Sequence, residues 1–209
     1  LGETLHELRT YRQAFAFLLA ALIYGEGIGT VYKLAAVYGA DHELESTSLM
    51  IAILITQFVG VPFAMIFGKL ALRIGARPSI LVTLAVYAGV CVYAYFLDSE
   101  RDFYVMAITV GMVQGGAQAL TRSLFSSLIP AHKSAEFFGL FAFASKIAGF
   151  AGLGAFFAVG SIASSNRPAV LALMVFFAAG AILLTRVDVA AGRAVARRAE
   201  EALLDEERA

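Results

Sequence analysis

Long uncharged runs alternate with short charged clusters along this chain. The runs are Ser46 to Gly68, Pro78 to Leu97, Phe103 to Thr121, Ile147 to Asn166 and Pro168 to Thr185. Each has about the 20 residues that a helix needs to cross a hydrocarbon core ~30 Å thick. A sixth stretch, "LLAALIYGEGIGTVYKLAAVYG" from Leu18 to Gly39, has the same character but is interrupted by Glu26 and Lys33. The pattern predicts six helices, over about 12–39, 46–71, 78–97, 103–127, 136–163 and 168–186. Arg77-Pro78, Ile129-Pro130 and Arg167-Pro168 mark boundaries, because proline disfavours helix at the residue before it. Pro62, after Gly60, falls inside the second helix and predicts a kink there.

The polar residues within these runs carry the functional argument. Glu26 lies near the midpoint of the first helix, where an acid costs roughly 2.5–3.5 kcal/mol on insertion scales. By steps of three and four, Leu22, Glu26, Gly29, Thr30 and Lys33 share a face. The fourth helix repeats the device: "GMVQGGAQALTR" puts Gln114, Gln118 and Arg122 on one stripe beside Gly115 and Gly116. The first helices of 12–97 and of 103–186 therefore both place a polar residue next to glycines at membrane depth. That correspondence is expected of two three-helix units related as inverted repeats in a transporter. Lys146 adds a cation in the fifth helix, whose small-residue pairs Ser145/Gly149 and Ala148/Gly152 predict close helix packing. Glu26 either handles solute or protons or holds a lysine, Lys33 or Lys146, as a structural partner. The two glutamines are either ligand contacts or interhelical hydrogen-bond glue, and Lys146 either meets a substrate or snorkels. Thr56 and Gln57 read as packing groups, and the phenylalanines at 137, 138, 141, 143, 176 and 177 as lipid or core surface.

Composition agrees with a membrane protein. Of 209 residues 60% are hydrophobic and 15% charged, and the formal net charge is zero; no basic tract for nucleic acid is present. One cysteine, Cys91, excludes an intrachain disulfide and a thiolate metal centre. No triad, metal-ligand spacing or phosphate loop emerges, His6, His42 and His132 fall in loops or ends, and an enzyme and a resident cofactor are not expected. Arginines and lysines gather at both termini and in the second and fourth loops, whereas Asp41, Glu43, Glu45, Asp98, Glu100 and Asp102 lie on the other side. The positive-inside rule then predicts cytoplasmic termini. Residues 1–11 are read as a lead-in, 12–186 as the transmembrane domain and 187–209 as a charged, solvated helical tail. No cleavable signal peptide opens the chain, and the missing initiator Met suggests a fragment or processed form.

Several segments resemble a known family. "GKLALRIGARPS", Gly68 to Ser79, is similar to the Gly-x-Leu-Ala-Asp-Arg-x-Gly-Arg-Arg loop of the major facilitator superfamily, with Gly68, Arg73, Gly75 and Arg77 at its positions. "YGEGIGTVYKLAAVYGA", "TQFVGVPFAMIFGKLA" and "QGGAQALTRSLFSSLIPAHKSAEFFGLFAFASK" resemble helices seven, eight and ten to eleven of the vacuole-effluxer-like family, which includes autophagy-linked vacuolar amino-acid exporters. The resemblance covers about residues 12 to 186. It implies the C-terminal half of a twelve-helix transporter, with the first helix of each unit lining the cavity. Leu72 stands where the loop signature has its acid, and Gly25-Glu26 where family members often have Asn-Asp.

The resulting expectation is an all-α membrane protein of six transmembrane helices in two inverted repeats, half of a secondary transporter in a bacterial inner membrane. Its partners would be the lipid bilayer, an N-terminal six-helix half or a second copy, a small polar solute such as an amino acid, and protons. Glu26 would bind a proton or cationic group, Gln114 and Gln118 would orient polar atoms, and Lys146 would meet a carboxylate, with Thr30 and Lys33 alongside. The competing expectation is a six-helix membrane subunit or scaffold that associates with another chain without transporting.

Overall fold

The structure, a computed structural model, describes residues 10–41, 46–97, 99–163 and 166–208, with side chains described for 10–32, 47–97, 99–150, 154 and 171–205. These residues form helices α1 (Arg12–Asp41), α2 (Ser46–Ile74), α3 (Ala76–Tyr95), α4 (Glu100–Ser126), α5 (Ser134–Ala163), α6 (Asn166–Thr185) and α7 (Val189–Arg208). A single 3-10 turn, Ala131–Lys133, precedes α5. Helices α1 to α6 occupy the six stretches that hydropathy predicts. Among the described residues, four are long and apolar enough to cross a membrane: Arg12–Tyr32, Thr47–Ile74, Ala76–Tyr95 and Glu100–Ser126. A fifth candidate is the pair Leu171–Thr185 and Val189–Asp205, bent by 62° at its break. Glu43, Glu45 and Asp98, with His6, Arg9 and His42, lie outside the described residues, as do the side chains of Lys33, Asp41, Gly152 and Arg167.

Local chemistry explains the helix ends. Ser99 caps α4, its hydroxyl oxygen accepting from the Asp102 amide at 3.2 Å while its own proton goes to the Asp102 carboxylate at 2.6 Å. Glu100 and Asp102 then place negative charge against the positive end of the helix dipole. Between α2 and α3 the reversal takes one residue, so α2 runs to Ile74, three residues beyond its predicted end. Gly75 adopts φ +95°, a region that side chains avoid. Its carbonyl accepts from both the amide and the hydroxyl of Ser79, at 3.3 and 2.8 Å. Pro78 is the third residue of α3 rather than its first. A proline there removes an amide that has no intrahelical acceptor anyway. Helix α2 also continues through Pro62.

The core lies between α1, α3, α4 and α6. Phe17, Leu84, Tyr87, Leu124, Phe125, Leu173 and Phe177 are fully buried there, and the rings of Tyr87 and Phe177 stack at 5.4 Å. Helix α2 packs chiefly on α4, α1 on α6, α3 on both α4 and α6, and α5 on α1 and α6. Outside this core the molecule is apolar. Phe58, Val61 and Met65 of α2 are largely exposed, which lipid tolerates and water does not.

The tail expected to be a solvated helix is docked. At the corner before α7, Arg77 donates to the Val187 carbonyl at 2.9 Å and the Asp188 amide to Gln13 Oε1 at 2.9 Å. Along α7, Arg193 Nε donates to Ser127 Oγ at 3.2 Å, and the Ala131 amide to Glu200 Oε1 at 2.8 Å. Val189, Gly192, Val195, Ala196 and Ala199 recur at helical spacing, and this small apolar stripe turns inward while the charges stay outside.

Candidate functional site

Helices α1, α4 and α5 enclose a groove of about 660 Å³. From α1 it is lined by Leu22, Tyr24, Gly25, Glu26, Ile28, Gly29 and Tyr32; from α4 by Gln114, Ala117, Gln118, Thr121 and Arg122; from α5 by Phe138, Phe141, Ala142 and Ser145. The walls are therefore apolar on the α5 side and polar where α1 faces α4. Glu26 is partly buried. Its carboxylate oxygens lie 3.9 Å from where a Cβ on Gly149 would sit, so the acid rests over bare α5 backbone.

A hydroxyl pair joins the two polar walls. Tyr24 Oη and Thr121 Oγ1 are 2.7 Å apart and buried. Thr121 gives its only proton to the Ala117 carbonyl at 2.7 Å. The tyrosine is therefore the donor in this pair. Gln114 Oε1 is buried with no hydrogen-bond partner among the described residues. Glu26, Tyr24 and Gln114 thus bring acceptor oxygens to one lining.

Of the residues that the sequence singles out, Glu26, Gln114 and Gln118 come together here, and Arg122 joins them as its i+8 spacing predicts. Thr30 does not. It is 1% exposed and its hydroxyl has no partner among the described residues. Glu26 is at one edge of the groove-facing sector, and four residues further on the helix has turned about 40° past a full revolution. Lys146 is exposed and absent from the groove wall, although its neighbour Ser145 lines it. Lys33 lies in α1, but its side chain is outside the described set. Gly115 and Gly116 turn away from the groove. A Cβ on Gly115 would collide with the Gly60 carbonyl, and one on Gly116 would lie 2.5 Å from the Phe67 ring. Thr56 supports this α2–α4 contact, placing its hydroxyl 2.8 Å from the Ala52 carbonyl and 3.2 Å from that of Ala107.

The loop signature is structural at Gly75, which makes the turn, and at Arg77, which ties that turn to Val187. Gly68 has open space at its α-carbon, Arg73 is exposed, and Leu72, in place of the signature's acid, is 89% exposed. Phe137, Phe138 and Phe141 pack with Tyr11 and Phe125, and two of the three also face the groove. Sequence reasoning passed over Tyr24 and Thr121 as site residues. Thr121 was legible, seven residues after Gln114 on the same stripe. Tyr24, two residues from Glu26, has no such signal.

The chain matches the family model described as "Vacuole effluxer Atg22 like" over residues 1–197. It is 38% identical over 187 residues to the "Uncharacterized MFS-type transporter YxiO" of Bacillus subtilis (strain 168), a match covering 90% of this chain and 44% of that protein. It is 26% identical over 196 residues to "Autophagy-related protein 22" of Cryptococcus neoformans var. neoformans serotype D, covering 86% of this chain and 34% of that one. A protein of the same name from Yarrowia lipolytica is 28% identical over 156 residues. The chain spans less than half the length of these curated relatives.

Proposed function

The chain belongs to the vacuole effluxer Atg22-like family, and we propose that it forms the C-terminal half of a major-facilitator transporter that moves a small polar solute by alternating access. The observation that carries this reading is the groove between α1, α4 and α5, whose wall includes Glu26 from within the candidate span Arg12–Tyr32. A second feature supports the inverted-repeat arrangement. If α1–α3 are exchanged with α4–α6, each main contact finds a counterpart: α2–α4 with α5–α1, α1–α6 with α4–α3, and α2–α3 with α5–α6. The bonds of Arg77, Gln13 and Arg193 bring the α2–α3 turn, the start of α1 and α7 to one end of the bundle. That end collects the arginines and favours a cytoplasmic placement.

In this mechanism Glu26 alternates between a protonated state and one that binds the cationic group of the solute. Gln114 and Tyr24 accept hydrogen bonds from the solute, and Arg122 offers a counter-charge at the same wall. An amino acid has both groups. The test is uptake of labelled amino acids into vesicles containing the full transporter at two pH values. Glu26→Gln abolishes transport or its pH dependence while leaving the protein folded and inserted. Transport with an unchanged rate and pH profile in this variant excludes the role.

A further inference from the structure

The groove has two chemically different ends. Helices α1 and α4 run antiparallel along it: the Phe17 and Phe125 rings stack at 6.2 Å, and further along α1 Tyr24 meets Thr121, which is earlier in α4. Arg122, next to Thr121, lies at this end of the groove wall. Tyr32 is two turns beyond Tyr24, about 12 Å along α1 at 1.5 Å per residue. The same antiparallel register carries it to the level of Val113 and Gln114 in α4. Glu26 and Gln118 fall between the two ends. Tyr32 and Gln114 both line the groove. The Tyr32 hydroxyl and Gln114 Oε1 are buried, and neither has a hydrogen-bond partner among the described residues. The hydroxyls of Thr30 and Tyr87 share that property, but both residues are closed into the core and are absent from the groove wall.

We propose, resting on the transport reading above, that Tyr32 and Gln114 form a neutral subsite that selects an amino acid with a carboxamide side chain, glutamine before asparagine. A phenol O–H without an acceptor and an amide oxygen without a donor are together what a primary carboxamide completes. Its carbonyl accepts from Tyr32, and its N–H donates to Gln114 Oε1. The charged side chains on the groove wall, Glu26 and Arg122, lie in the middle and at the opposite end, so a neutral polar group suits the Tyr32 end better than an ionised one. The solute then lies along the groove, its carboxylate toward Arg122, its ammonium at Glu26 and its side chain toward Tyr32. From Glu26 to Tyr32 is about 9 Å along the helix, which favours the longer of the two amides. An apolar side chain of the same length would displace water from both polar atoms and leave them unpaired, and sites built in this way discriminate strongly. The competing partner for Tyr32 is Gln114 itself. A direct bond between them would satisfy both atoms and give no preference between amide and apolar solutes.

The test measures uptake of labelled glutamine and labelled methionine, which is of similar length but has no amide, into vesicles containing the full transporter. With the unaltered protein, glutamine uptake is expected to exceed methionine uptake about ten-fold or more at equal concentration. Tyr32→Phe and Gln114→Leu each lower glutamine uptake more than methionine uptake, so the ratio between the two falls toward one. Uptake of methionine as fast as glutamine, or of neither, overturns the proposal on the unaltered protein alone, whatever the variants do to folding. So does a Tyr32→Phe variant that slows both solutes equally, which is the result a direct Tyr32–Gln114 bond gives. If another amino acid is transported and Glu26→Gln blocks it, the transport reading stands and only this inference falls. If no amino acid is transported, both fall.

Discussion

Gly25 and Gly29, on either side of Glu26, and the glycines beside Gln114 look alike in sequence and do opposite things. In α1, Gly25 and Gly29 have nothing within 4 Å of a would-be side chain and line the groove. In α4, Gly115 and Gly116 are pressed against Gly60 and Phe67 of α2. The first pair keeps space open for a solute; the second lets two backbones touch. A polar residue flanked by glycines in a membrane helix is thus not one motif. Which meaning applies depends on whether a neighbouring helix occupies that side.

Substitutions can break or sharpen this contrast. The largest effect is expected for Gly115→Leu, which must push α2 and α4 apart. Overpacking of this kind costs typically 1–3 kcal/mol and occasionally more, and it should appear as a large loss of thermal stability of the full transporter in detergent. Gly27→Ala follows. A Cβ there would stand 2.8 Å from the Phe177 ring, and a ring edge yields more readily than backbone, so a loss of about 1–2 kcal/mol is expected by the same measurement. Tyr24→Phe removes the hydroxyl bond across the groove and should cost about 1 kcal/mol, with a larger loss of transport if the phenol oxygen meets solute. Gly25→Ala is expected to leave stability unchanged or to raise it by up to about 1 kcal/mol, because alanine is the better helix former and no atom is in the way. If Gly25→Ala destabilises as much as Gly115→Leu, the two glycine pairs do not differ as the geometry says.

Arg77 and Leu72 extend the comparison to the loop signature. Both positions are polar in the family pattern, yet here Arg77 holds the α6–α7 corner through the Val187 carbonyl while Leu72 is open to its surroundings. A motif shared by a family can keep a structural contact at one position and lose a charged one at another.

Reading the chain in one dimension located the helices well. Runs of uncharged residues about 20 long admit no other backbone-satisfying solution in lipid. Periodicity also assembled most of one groove wall, since Gln114, Gln118 and Arg122 recur at four-residue steps and Thr121 lies seven residues after Gln114. It failed where a helix face has an edge. Thr30 and Glu26 are neighbours by spacing, yet Thr30 has rotated into the core. Lys146 and Ser145 are adjacent, yet only Ser145 reaches the groove. The extent of α2 was misjudged because one positive-φ glycine can reverse a chain that composition reads as a longer loop.

By itself, then, the sequence determined that this is a multi-helix membrane protein with charges rationed to a few interior positions, because hydrocarbon length and the cost of unsatisfied polar groups act on each segment separately. Only the tertiary structure decided which of those positions share a cavity, which glycines are filled by a neighbour, and that the charged tail folds back onto the bundle. Those outcomes depend on which helix stands beside which, a relation between segments far apart in the chain that no local pattern encodes.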